Sequence, residues 1–70
     1  MQRTSVSSSN LASAGYDPTT QTLEVEFNSG GIYEYYNVPE HLFHELLSAS
    51  SVGRYFAQHI KNTFGYAQVG

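Results

Sequence analysis

The chain has 70 residues, a formal net charge of −3 and no cysteine. Those values exclude a second domain, a disulfide framework and a thiolate zinc site, and they leave few cations for a phosphate-binding groove. Hydrophobic residues make up 40% and charged residues 13%, which is not the composition of a disordered chain.

Residues 1–70 are therefore read as a single domain, whose core holds the fold alone or with help from a second copy. No apolar run reaches the roughly 18 residues that a membrane span needs. Met1-Gln2-Arg3-Thr4-Ser5 reads as a cytoplasmic start with no signal-peptide pattern. Met1 to Ser9 is serine-rich and reads as a loose tail. Leu11 to Tyr16 is a short first strand, weakened by Ala12, Ala14 and Gly15. Asp17-Pro18-Thr19-Thr20-Gln21 is a turn, in which Asp supplies local bonding and Pro a preset φ. Leu23, Val25 and Phe27 then alternate with Glu24, Glu26 and Asn28 as a half-buried strand.

Asn28-Ser29-Gly30-Gly31 is the next turn, and Ile32 to Asn37 is the third strand. Residues opposite one another in an antiparallel pair share a face. Apolar Val25 therefore belongs opposite Tyr33 or Tyr35, which demands a three- or five-residue loop with Gly30 or Gly31 at positive φ. Glu34 then falls opposite Glu24 or Glu26. Pro39, which cannot donate to a ladder and suits a first helical turn, ends the strand and opens a helix reaching about Ala49. Leu42, Phe43, Leu46 and Leu47 form its apolar stripe, while Glu40, His41, His44, Glu45 and Ser48 lie on its polar side. Ser50 or Ser51 caps a second helix reaching about Asn62, with Val52, Phe56 and Ile60 in register. Phe64 to Val69 is a tail or a short edge strand.

The expected fold class is α+β: a three-stranded antiparallel meander with two C-terminal helices packed on one face, and room for a short C-terminal edge strand. Leu23, Val25, Phe27, Tyr33, Tyr35, Leu42, Phe43, Leu46, Leu47, Phe56 and Ile60 form the expected core.

The order of these motifs resembles the KTSC domain family, small modules named for their occurrence at the C-terminus of some lysyl-tRNA synthetases. Arg3, Val6 and Ser8-Ser9-Asn10 match its opening, and Ala12 with Gly15-Tyr16-Asp17 its first strand. Leu23-x-Val25-x-Phe27, Gly30, Tyr33-x-Tyr35 and Val38-Pro39 match its hairpin and hinge. Ala49-x-Ser51-x-Gly53-x-Tyr55-Phe56 followed by Ile60-Lys61 matches its second helix. Ala14 departs from the larger aliphatic residue expected there. The resemblance implies that Val6 to Ser9 are ordered against the domain. It also implies an RNA-binding accessory role as one reading, and it carries over no catalytic residues.

Six tyrosines, Tyr16, Tyr33, Tyr35, Tyr36, Tyr55 and Tyr66, are expected near one another. Exposed aromatics on a sheet can stack bases, and Tyr33, Tyr35, Arg54 and Lys61 are the residues such a site would use. With only three cations in the chain, packing is favoured over stacking. His41 and His44 have metal-ligand spacing on an exposed helix face, but nothing in the sequence completes a coordination set, and no metal or cofactor is expected. Asp17, the sole aspartate, sits in a turn, and no Gly-x-Ser-x-Gly elbow or phosphate loop is present.

The expected function is a non-catalytic, cytoplasmic interaction module that docks a protein or self-associates, with no membrane and no small-molecule substrate. Its expected surface is Glu24, Glu26, Glu34 and Tyr36, which share the sheet face away from the helices. RNA binding is the alternative.

Overall fold

Alternation of Leu23, Val25 and Phe27 with Glu24 and Glu26 makes the central strand of the sheet, and the chain on either side of it builds outward. The computed structural model describes residues 1–70. Its elements are β1 (Arg3–Ser5), β2 (Leu11–Asp17), β3 (Thr22–Phe27), β4 (Ile32–Tyr35), α1 (Glu40–Ser48), α2 (Val52–His59) and β5 (Tyr66–Gln68). The sheet is antiparallel throughout, in the order β1-β2-β3-β4-β5. It has five strands where the sequence suggested three. No helix is long and apolar enough to cross a membrane.

β1 corrects the reading of the N-terminal segment as a loose tail. Arg3, Thr4 and Ser5 pair with Gly15, Ala14 and Ser13, and all three are exposed. A strand of Arg, Thr and Ser with no apolar side chain leaves no alternation to detect. Val6 continues the contact, its amide donating to Ala12 at 3.0 Å and its side chain packing on the core. β5 settles the C-terminal segment as an edge strand, with Tyr66 opposite Tyr35 and Gln68 opposite Tyr33.

The β3–β4 register places Val25 opposite Tyr33 and Glu24 opposite Glu34. The connecting loop is Asn28-Ser29-Gly30, closed by Phe27 N–H to the Gly31 carbonyl at 2.9 Å, with Gly30 at φ 107°. Of the two registers that face matching allows, the structure takes the one with the three-residue loop and Gly30, not Gly31, at positive φ. A bulge between Leu11 and Ser13 shifts the phase of β2. Leu11 thereby joins Ala14 on the buried face, whereas unbroken alternation would group it with Ser13 and Gly15.

Both helices cover that same face. Pro39 precedes α1, and the Ser51 hydroxyl caps α2 by accepting from the Arg54 amide at 3.3 Å. The buried core is Leu11, Ala14, Leu23, Val25, Tyr35, Val38, Leu46, Val52, Phe56 and Ile60. Phe27, Tyr33, Leu42, Phe43 and Leu47, expected in the interior, are only half-buried around it. Two short helices cannot seal a five-stranded sheet, so the rim of the apolar stripe stays wet. Asn37, at φ 60°, turns the chain between β4 and α1. Val38 is drawn inside there, its amide donating to Gln21 and its carbonyl accepting from the Tyr16 hydroxyl. Tyr16 stacks on Phe43 at 5.4 Å, which ties β2 to α1.

Candidate interaction surfaces

Strand pairing lines up Arg3, Gly15, Glu24, Glu34 and Ala67 across the sheet face opposite the helices. Glu26 and Tyr36 lie on the same face by strand alternation. All four residues expected at the docking surface are thus brought together. Arg3 neutralises one of the carboxylates: its guanidinium donates to Glu24 at 2.5 Å, with side-chain exposures of 28% and 14%. Glu26 accepts from the Ser13 hydroxyl at 3.0 Å, and Glu34 has only the Tyr36 hydroxyl at 3.4 Å.

Gly15 makes the Arg3 bridge possible. A Cβ there would lie 2.3 Å from the Gln2 carbonyl oxygen and 3.1 Å from Arg3 Cγ. The arginine stem therefore crosses the sheet over a residue with no side chain. Arg3, Arg54 and Lys61 were the cations the sequence offered this face, and only Arg3 reaches it as an ion pair. The role of Gly15 beneath it was not legible, because the strand carrying Arg3 has no apolar pattern to fix its place.

Glu34 faces Glu24 with no cation of its own, so its charge is expected to cost stability in the free domain. Glu34→Gln should raise stability by about 0.5 kcal/mol, a small gain because solvent screens the face. Thermal melts with and without salt measure it, and the gain should shrink as salt rises. A loss of about 1 kcal/mol or more would instead mean that Glu34 is held by a cation.

The second surface lies on the helix side, where five aromatic rings close a circuit. Centroid separations are 5.4 Å for Tyr33–Phe27, 5.5 Å for Phe27–Phe56, 5.3 Å for Phe56–Tyr35, 5.4 Å for Tyr35–Tyr66 and 6.0 Å for Tyr66–Tyr33. All five line one cleft of about 560 Å³ between α2, the β3–β4 loop and β5, with Lys61 also on its wall. Burial, and then the neighbouring Tyr66 and Tyr33 phenols, push the Tyr35 hydroxyl above its usual pKa. Of the residues named for RNA, Tyr33, Tyr35 and Lys61 meet here and Arg54 does not. Phe27 and Phe56 read as core residues, and both also floor this cleft.

The remaining tyrosines do not join them, contrary to the expectation of one cluster. Tyr16 packs on Phe43, and Tyr36 stands on the glutamate face. Tyr55 donates to Glu45 at 2.6 Å and clamps α2 to α1. Burial, followed by that hydrogen bond and the Glu45 charge, pushes its phenol up to about 12. His41 and His44 are exposed, with His44 Nε2 3.2 Å from Glu40. No group of three or more His, Cys, Asp or Glu gathers in a geometry able to hold a metal.

A protein-family model described as KTSC domain matches residues 7–64. A protein of Stutzerimonas stutzeri strain A1501 is 51% identical over 61 residues, covering 87% of this chain and 86% of its own. A lysine–tRNA ligase of Nostoc sp. strain PCC 7120 is 54% identical over 54 residues, which are 77% of this chain but 10% of the enzyme. The crystal structure of a KTSC domain protein from Yersinia pestis superimposes with a TM-score of 0.95 at 43% identity, covering 99% of this chain and 97% of that one.

Proposed function

The chain belongs to the KTSC domain family, and from that premise we propose that it is a non-catalytic interaction module, docking a protein partner or a second copy of itself. The observation that carries this reading is the unit's two contexts. It makes up 86% of a small protein in one relative and 10% of a lysine–tRNA ligase in another. A unit that recurs alone and as an appendage to an enzyme has the economy of a docking module. The proposed location is the cytoplasm, supported by the same ligases.

The proposed docking surface is Glu24, Glu26, Glu34 and Tyr36. After the Arg3–Glu24 pair is counted it keeps two carboxylates without a cation, beside Tyr36, which is 36% exposed. A basic partner fits that charge. Affinity capture from the native host, comparing wild type with Glu34→Lys, tests the surface. Loss of a captured partner in the variant is the expected result, and an unchanged set of partners would overturn it. Light scattering of the free domain reads self-association.

RNA binding is the second reading, favoured by Tyr33, Tyr35 and Lys61 lining one cleft. The chain carries a net charge of −3, so single-stranded RNA is expected to bind no tighter than micromolar at physiological salt. A salt titration of a fluorescent oligonucleotide checks this. Sub-micromolar, steeply salt-dependent binding would replace docking with an RNA-accessory role.

A further inference from the structure

We infer that the aromatic cleft is a separate binding site for an extended acidic peptide laid along the free edge of β5. This goes beyond the glutamate surface, and three observations carry it. β5 is the terminal strand of the sheet, and its three residues are all exposed. Its outer backbone amides and carbonyls have no ladder partner, and an added extended segment would continue the sheet.

The side chains of such a segment alternate, so every second one turns to the helix side. The wall it meets there is Tyr66, 59% exposed, with Tyr33 and Tyr35 within 6.0 Å and 5.4 Å of its ring. An apolar or aromatic side chain entering the cleft displaces water from the exposed Tyr66 ring and the half-buried Tyr33 and Phe27 rings, over a floor of buried Tyr35 and Phe56.

Lys61 supplies the third observation. It lines the cleft, forms no ion pair, and has no carboxylate among the other lining residues. A ligand carboxylate two positions along from the apolar side chain lies on the same face of the added strand and completes that missing partner.

The charge count selects a peptide over RNA. One lysine matches one carboxylate, whereas a nucleic-acid strand draws its affinity from several phosphates, and Arg54 lies outside the cleft.

A randomised decapeptide display selection on the immobilised domain tests the site. The expected winners carry an acidic residue two positions from an aromatic or aliphatic one. For the best of them, measured as a free synthetic peptide, Lys61→Gln should weaken binding about tenfold or more. Replacing the peptide's acid with its amide should do the same, and combining the two changes should cost little extra. Tyr66→Ala, on an exposed strand, should weaken binding about as much. Glu34→Lys should leave it unchanged, which separates this site from the glutamate surface. Any of four results would overturn the inference: no enrichment, enrichment without an acid, indifference to Lys61→Gln, or a dimer of the free domain that Tyr66→Ala dissolves. Tighter binding of a ten-nucleotide uridine RNA than of the selected peptide would overturn it in favour of the nucleic-acid reading.

Discussion

Leu46→Ala is expected to lower the free energy of unfolding by about 2–5 kcal/mol. Leu46 is fully buried in the ten-residue core and is the one buried residue of α1. Truncation there removes contacts on every side, and two helices anchored at their ends cannot collapse into the gap. A chain of this length buries only about 60% of its unfolded surface and is stable by a few kcal/mol. The variant should therefore be largely unfolded at room temperature, as read by urea denaturation followed by circular dichroism. Leu47→Ala, at a half-buried position one residue on, should cost clearly less. Equal losses at the two sites, or a loss under about 0.5 kcal/mol at Leu46, would mean that the helix presents another face to the sheet.

Gly15→Ala is expected to cost about 1–3 kcal/mol, in the range of overpacked interiors. The added methyl would meet a backbone oxygen, the Gln2 carbonyl, at 2.3 Å, and backbone yields less readily than a flexible side chain. Relief requires β1 to move away from β2, which breaks its ladder and the Arg3–Glu24 bridge together. Hydrogen exchange should show loss of protection confined to β1 and its partner residues in β2. Deleting residues 1–5 supplies the control. In that background the substitution should cost little, because the clash and the bridge have both gone. Gly30→Ala makes a useful contrast. Nothing lies within 4 Å of its Cβ position, but its φ is 107°, so its cost is local strain and β1 stays in place. If Gly15→Ala cost as much in the truncated domain as in the full chain, the strain would reside in β2 itself.

The hairpin was legible residue by residue. Alternating Leu23, Val25 and Phe27, the face shared with Tyr33 and Tyr35, and glycines where a positive φ was needed left two registers, with a three- or a five-residue loop, and the structure adopts the shorter. Glu24, Glu26 and Glu34 share a face as that register requires. The apolar stripes of both helices were equally readable, and so was a serine cap at Ser50 or Ser51, which the structure places at Ser51, because period and capping are local properties of the chain.

β1 and the β2 bulge were not legible, and the aromatic cleft was legible only in part: Tyr33, Tyr35 and Lys61 were named for one site, but Phe27 and Phe56 read only as core. β1 has no apolar side chain, so its backbone pairing with β2 and the Arg3–Glu24 bridge define it, and both are contacts made only in the fold. The bulge that turns Leu11 inward depends on which residues of β3 stand opposite. The cleft draws rings from β3, β4, α2 and β5, and no spacing along one chain segment encodes that meeting. Local periodicity by itself determined β3, β4 and the two helices, and which side of each is apolar. The tertiary structure alone decided where the sheet ends, which charges pair and which aromatics face water, because those depend on contacts between residues far apart in the chain.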